Sequence, residues 1–207
     1  LSAFFALETN VGADQPGSTS LGDRTALVGL KNALGSMAVG RDTHSVFNLL
    51  ATYDAFGAGY GNSMETVHPL HGLRLSNAAF VSVTPLKGVA VHYQHGFSET
   101  ANGTDTKVIG ADAAFGPLSV GAARYDNGTN ETNVIGGKFA VKATGTTVFG
   151  IYSDNTIGGV ETKGKSVGVA QKLGGPLTAL ASYNENETVK GYNVGAQYNL
   201  SKRTFLH

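Results

Sequence analysis

Four of the six histidines fall into two closely spaced pairs, His68 with His71 and His92 with His95, and imidazole is a common metal ligand. The spacing works against coordination. Residues three apart on a strand point to opposite faces, so His92 and His95 cannot converge on one ion. His68 and His71 flank Pro69, and with no convergent carboxylate no metal site is expected there. Serine, histidine and aspartate are all present, but no Gly-x-Ser-x-Gly elbow activates a nucleophile. The glycines of GAGYG (57–61) lack both a preceding strand-to-helix context and a P-loop lysine, so they are not expected to cradle phosphate. Asn102, Asn127, Asn130 and Asn186 head Asn-x-Ser/Thr triplets that read as loop positions without a glycan. Neither catalysis nor a cofactor is expected.

Composition narrows the remaining classes. The chain has 207 residues, 29 of them Gly, 14% charged side chains and neither Cys nor Trp, which is the profile of an ordered chain rich in glycine-bearing strands and turns. Fifteen basic and fifteen acidic residues cancel, so the electrostatic footprint of a nucleic-acid binder is missing. Without cysteine there are no disulfides and no thiolate metal sites. No window reaches the roughly 20 apolar residues of a spanning helix. Strands of about 10 residues can still cross a bilayer if they close into a barrel, where alternation hides their hydrophobicity.

The elements that would hold these residues are strands. Thirteen are predicted, at 3–9, 24–31, 35–41, 73–84, 88–95, 106–115, 118–125, 132–143, 146–153, 165–173, 177–184, 190–200 and 202–207. Helical periodicity surfaces only at 45–53, inside the longest connection. In 190–200, Tyr192, Val194, Ala196, Tyr198 and Leu200 alternate with Gly191, Asn193, Gly195, Gln197 and Asn199. In 132–143, Ile135, Phe139 and Val141 oppose Gly136, Lys138 and Lys142; in 106–115, Ile109, Ala111, Ala113 and Phe115 oppose Gly110 and Asp112. Each strand thus has an apolar and a polar face.

Connection length alternates as strictly as hydropathy. Short joints (KNALG, TPLKG, FGP, ATG, GGP, SK) take turns with longer ones at 10–23, 41–72, 96–106, 126–131, 154–165 and 184–190. In an up-and-down meander every tight turn then lies on one rim and every loop on the other, as in outer-membrane barrels. A soluble or surface-attached β-sandwich serving as a binding or adhesion module is the competing reading. It would want bulkier inward residues and would mix long and short connections at both ends. Tyr93, Phe115, Tyr125, Tyr183, Tyr192 and Tyr198, near strand ends, are candidates for interfacial girdles. The fold expected is an all-β, up-and-down antiparallel transmembrane β-barrel, in one domain over 1–207.

Four stretches also resemble the Gram-negative general diffusion porins, especially their beta-proteobacterial and Neisseria-like branch. DRTALVGLKNALGSMAVGRD (23–42) is similar to a family strand pair opened by Arg and closed by Gly-Arg, and YNLSKRTFLH (198–207) is close to the penultimate hairpin. TYDAFGAG (52–59) resembles part of the loop that folds into the pore, and LRLSN (73–77), followed by TPLKGVAVHY, resembles the strands after it. On the family frame of sixteen strands these thirteen would be the third to the fifteenth, an incomplete barrel.

The resemblance implies a trimeric channel in the outer membrane, embedded in its lipid, passing small hydrophilic solutes and ions. A porin-like structural component of a cell-envelope assembly is a further alternative. The loop at 42–72 would be the constriction loop, its acids Asp54 and Glu65 facing Arg24 and Arg74 across the eyelet. Asp54 could instead be a turn-forming Asx residue. By parity, Glu8, His92, Asp112, Lys138, Lys142 and Lys172 would line the lumen wall, His95 would sit at the upper rim, and Arg41 shares parity with apolar Val39. Five wall cations against four acids imply a weak anion preference.

Overall fold

Every strand pairs antiparallel with its neighbours in sequence, in a single thirteen-stranded sheet of order β1 to β13. The strands are β1 (Ser2–Glu8), β2 (Thr25–Asn32), β3 (Gly35–Thr43), β4 (Arg74–Leu86), β5 (Val89–Gly96), β6 (Thr106–Phe115) and β7 (Leu118–Asp126). They continue with β8 (Glu131–Val141), β9 (Thr146–Ile157), β10 (Val160–Gly174), β11 (Leu177–Glu185), β12 (Lys190–Asn199) and β13 (Phe205–Leu206). One helix, α1 (Ser45–Tyr53), lies between β3 and β4. This computed structural model describes all residues except 11–19, 60, 65, 102, 203 and 207.

The alternation in sequence becomes two chemically distinct faces. Phe115, Leu118, Phe139, Val148 and Val169 follow one another across five strands in register. That row belongs to a bare apolar face on which Tyr192 and Val194 are each 81% exposed. Apolar exposure on this scale suits lipid and not water. The opposite face carries the polar or small partners, such as Asp112 opposite Gly121, and is covered by the chain between β3 and β4. Of the aromatic residues expected at the girdles, Tyr93, Phe115, Tyr183, Tyr192 and Tyr198 are exposed, but Tyr125 is buried. It stacks instead against His44 and His71 on the covered face, where its even spacing from Ala123 directs it.

Two departures from the expected strands have local causes. The connection at 154–165 is no loop: β9 runs on to Ile157 and β10 starts at Val160, with Ile157 paired to Val160. Gly158 (φ 59°) and Gly159 (φ 81°) form the two positive-φ positions of a tight hairpin. Asp154, Asn155, Thr162 and Lys163 in this extension have no apolar partner face, so the strand is silent to a hydropathy reading. The second departure is a shift of register between β3 and β4 at Gly40/Asp42, beside Asn77 at φ 48°. This irregularity lets both Leu75 and Ala78 join the core beneath α1.

That core lies between one helix and the sheet. Val46, Leu49, Leu50 and Tyr53 of α1 pack on Leu75, Ala78, Val108, Ala123, Tyr125, Val134 and Ile151. Fully burying a leucine such as Leu50 contributes about 1.5–3 kcal/mol, so α1 is anchored firmly to the wall. Contacts of the same connection reach from Gln94 of β5 to Asn193 of β12. At about 4.8 Å between strands, one short segment can touch eight of them only if the sheet curls around it.

Candidate permeation site

The segment inside the curl is held by a small set of capping bonds. His44 caps α1: its Nδ1 accepts from the Phe47 N–H at 3.2 Å, so the proton sits on Nε2, 3.0 Å from the Gly72 carbonyl. Burial depresses the His44 pKa and keeps the ring neutral, as that double role requires. The helix ends at Asp54, whose carboxylate accepts from Phe56 N (2.7 Å), Ser63 N (2.8 Å) and Ser63 Oγ (2.6 Å). Asp54 is 5% exposed and knots its own loop, in the turn-forming role open to an Asx residue.

Farther along, His68 is fully buried between two wall serines, Nδ1 2.7 Å from Ser153 Oγ and Nε2 2.8 Å from Ser166 Oγ. Burial pushes its pKa down to about 4, so it docks as a neutral imidazole. Asn186, expected only as a surface triplet, donates to the Thr66 carbonyl and folds its own turn with Thr188 and Val189. His68 and His71 serve different partners, and among the described residues no group of three metal-ligating side chains forms.

Below the helix, toward the tight-turn rim, lies a cavity of about 520 Å³ lined by both polar and small apolar side chains. His92, Asp112 and Lys138, three of the expected wall residues, come together there with Asn48, Thr52 and Tyr53 of α1. His92 Nε2 is 3.3 Å from Asp112 Oδ2. Lys138 Nζ approaches the Thr52 carbonyl at 3.4 Å and stands 5.8 Å from the centroid of the Tyr53 ring. Burial, reinforced by the charge and hydrogen bond of Asp112, raises the Tyr53 pKa to about 12, so the phenol remains a neutral donor. The cavity therefore presents a cation, a paired anion and a neutral ring.

The other expected site residues are dispersed. Arg24 precedes β2 and pairs with Glu8 (3.7 Å), both well exposed, while its Nη1 reaches Asn10. Arg74 opens β4 with a buried Nε that has no hydrogen-bond partner among the described residues. The next residue, Leu75, faces the α1 core, so Arg74 has the opposite parity. Lys142 and Lys172 belong to the tight-turn rim, where the Lys172 N–H donates to the Gly145 carbonyl. Glu65 lies outside the described residues. Arg41 has apolar-face parity and bonds to the Asp23 carbonyl and Ser76 Oγ; His95 pairs with Asp105. Sequence reasoning missed His44, Tyr53, Ser153 and Ser166, which carry no motif and gain their roles only through docking.

A polar face curled around an inserted helix-bearing loop, with a greasy face outside, is the geometry of a diffusion channel. The family model described as Gram-negative porin matches residues 1–207. The chain belongs to this family. No curated protein matches the sequence. Among solved structures, an anion-selective porin from Comamonas acidovorans is similar at 21% identity and TM-score 0.79, over 98% of this chain and 71% of that one. OmpF of Salmonella typhi, solved with daunomycin, matches at 17% identity and TM-score 0.76, over 97% and 74%. The trimer form of Vibrio cholerae OmpT matches at 15% and 0.69, over 96% and 72%. These likenesses establish the fold. The porin is an outer-membrane diffusion-channel protein whose thirteen-stranded sheet is curled but not closed, and its family comprises non-enzymatic channels.

Proposed function

We propose that this porin passes small hydrophilic solutes and ions with a weak preference for anions, as a homotrimer embedded in outer-membrane lipid. The observation that carries the selectivity is Lys138 on the wall beside the helix, where Asp112, an acid lining the same cavity, is paired with His92. A narrow polar passage with low-dielectric walls focuses the field of its nearest charges, so one unshielded cation outweighs several distant ones. Asp54 contributes little to this field because its carboxylate is spent inside the loop. Arg24 and Glu65 belong to the proposed eyelet, with Glu8 tempering Arg24, whereas the parity of Arg74 takes it off that wall, and Lys142 and Lys172 would raise anion concentration at the tight-turn mouth. The trimer rests on the family resemblance and on the trimer form of Vibrio cholerae OmpT, whose fold this chain shares.

Reversal potentials in a salt gradient across a planar bilayer test the selectivity. The parent should show a small anion preference, and Lys138→Gln should move it toward cations more than Arg24→Ala does. A cation-selective parent, or a Lys138→Gln channel with unchanged potential, would overturn the assignment.

A further inference from the structure

The loop rests on the backbone of the wall, at glycines. A Cβ added at Gly136 would come within 2.6 Å of the Tyr53 ring, and one at Gly110 within 2.9 Å of Ser45 Cβ. At Gly168 it would meet Ala55 Cβ at 2.7 Å, and at Gly195 the Phe56 ring at 3.0 Å. Gly121 lies against Tyr53 and Asp112, and Gly164 against the Val67 carbonyl and His68 Nδ1. These six glycines stand on five strands, β6, β7, β8, β10 and β12, each at a contact with the inserted loop. Two other wall glycines have room: Gly150, on the lipid-facing side, has its nearest atom at 4.0 Å, and Gly191 has nothing within 4 Å, while the crowding at Gly29, Gly35 and Gly40 comes from neighbouring strands and not from the loop. All six adopt ordinary extended backbone, so conformation does not demand glycine at these places.

We infer that this track of wall glycines fixes the stand-off of the loop from the wall, and with it the calibre and size cut-off of the channel. The inference rests on the reading of the chain as a diffusion channel narrowed by this loop. Carbon atoms in contact settle at about 3.5–4.0 Å, so one methyl group at Gly136 or Gly168 displaces the loop by on the order of 1 Å toward the lumen. Glycine thus acts here as a spacer of zero length. The loop sequence sets what lines the passage, and the wall glycines set how wide it is.

Single-channel conductance and liposome swelling with sugars of increasing size test this on the parent and on Gly136→Ala and Gly168→Ala. Both variants should conduct less than the parent and exclude the larger sugars first, with Gly150→Ala and Gly191→Ala unchanged. Ala55→Gly combined with Gly168→Ala moves the methyl group from loop to wall and should restore the parent's conductance, which general damage to folding would not permit. A parent without channel activity would refute the channel reading itself. A conducting parent whose Gly136→Ala and Gly168→Ala variants keep its conductance, or a Gly168→Ala defect that Ala55→Gly fails to rescue, would overturn the role of the glycines.

Discussion

At the scale of single residues, burial has converted titratable groups into fixed hydrogen-bonding parts. His68 is the clearest case. Its pKa of about 4 in the docked loop lies below the ordinary value of 6.5, so between these limits the undocked loop binds the extra proton. Docking is therefore fully stabilised above pH 6.5, weakens as the pH falls toward 4 and levels off below it, by up to about 1.4 kcal/mol per pH unit. Proteolysis of the loop at pH 4.5 and 7.5 should show this difference in the parent and a smaller one in His68→Gln, whose amide has no charge to gain, the remainder coming from His44. Asp54 makes a second residue-scale prediction. Asp54→Ala strands Phe56 N, Ser63 N and Ser63 Oγ. Each buried donor left unpaired costs about 1–3 kcal/mol, so the variant channel should show noisier current and a protease-sensitive loop with the strands intact.

At the scale of elements, hydropathy reveals a strand wherever lipid touches it and falls silent where lipid does not. The strand 190–200 was legible because Tyr192, Val194 and Tyr198 face out, and β12 spans Lys190–Asn199. The β9–β10 extension was not, since Asp154 opposite Lys163 and Asn155 opposite Thr162 offer no apolar row. Its turn was nonetheless written in the Gly158–Gly159 pair. Gly159→Val puts a β-branched residue at φ 81° and should cost roughly 1–2 kcal/mol, whereas Gly158→Asn should be tolerated. Thermal denaturation of folded protein would separate the two. The helix at 45–53 emerged at its predicted residues because Val46, Leu49, Leu50 and Tyr53 form one apolar stripe. What that stripe would pack against could not be read, because its partners come from strands up to about a hundred residues later.

At the scale of the molecule, the division of faces makes the location of a charge decisive. Lys138 stands on the polar face beside α1 at no cost, whereas Ile135, three residues away, is 57% exposed on the apolar face. Ile135→Arg should lower stability by about 2–4 kcal/mol, measured as urea-dependent folding into vesicles, while Lys138→Arg should leave it unchanged. The candidate site was legible in the same proportion. His92, Asp112 and Lys138 followed from parity, which is a property of one strand at a time. The seating of Tyr53 against Gly136, or of His68 between Ser153 and Ser166, depends on relations among strands and the loop that no single segment encodes.

The reach of the inserted loop also orders events in time. Each strand pairs with its sequence neighbour, so the sheet can grow hairpin by hairpin with only short closures. The loop is bound differently: the Asn186 side chain reaches Thr66 across 120 positions, and that of Asn193 reaches Gly61 across 132. Those partners do not exist as a surface until β11 and β12 have joined the sheet. The passage is therefore furnished late, and the growing sheet holds the segment between β3 and β4 undocked until β11 and β12 are in place.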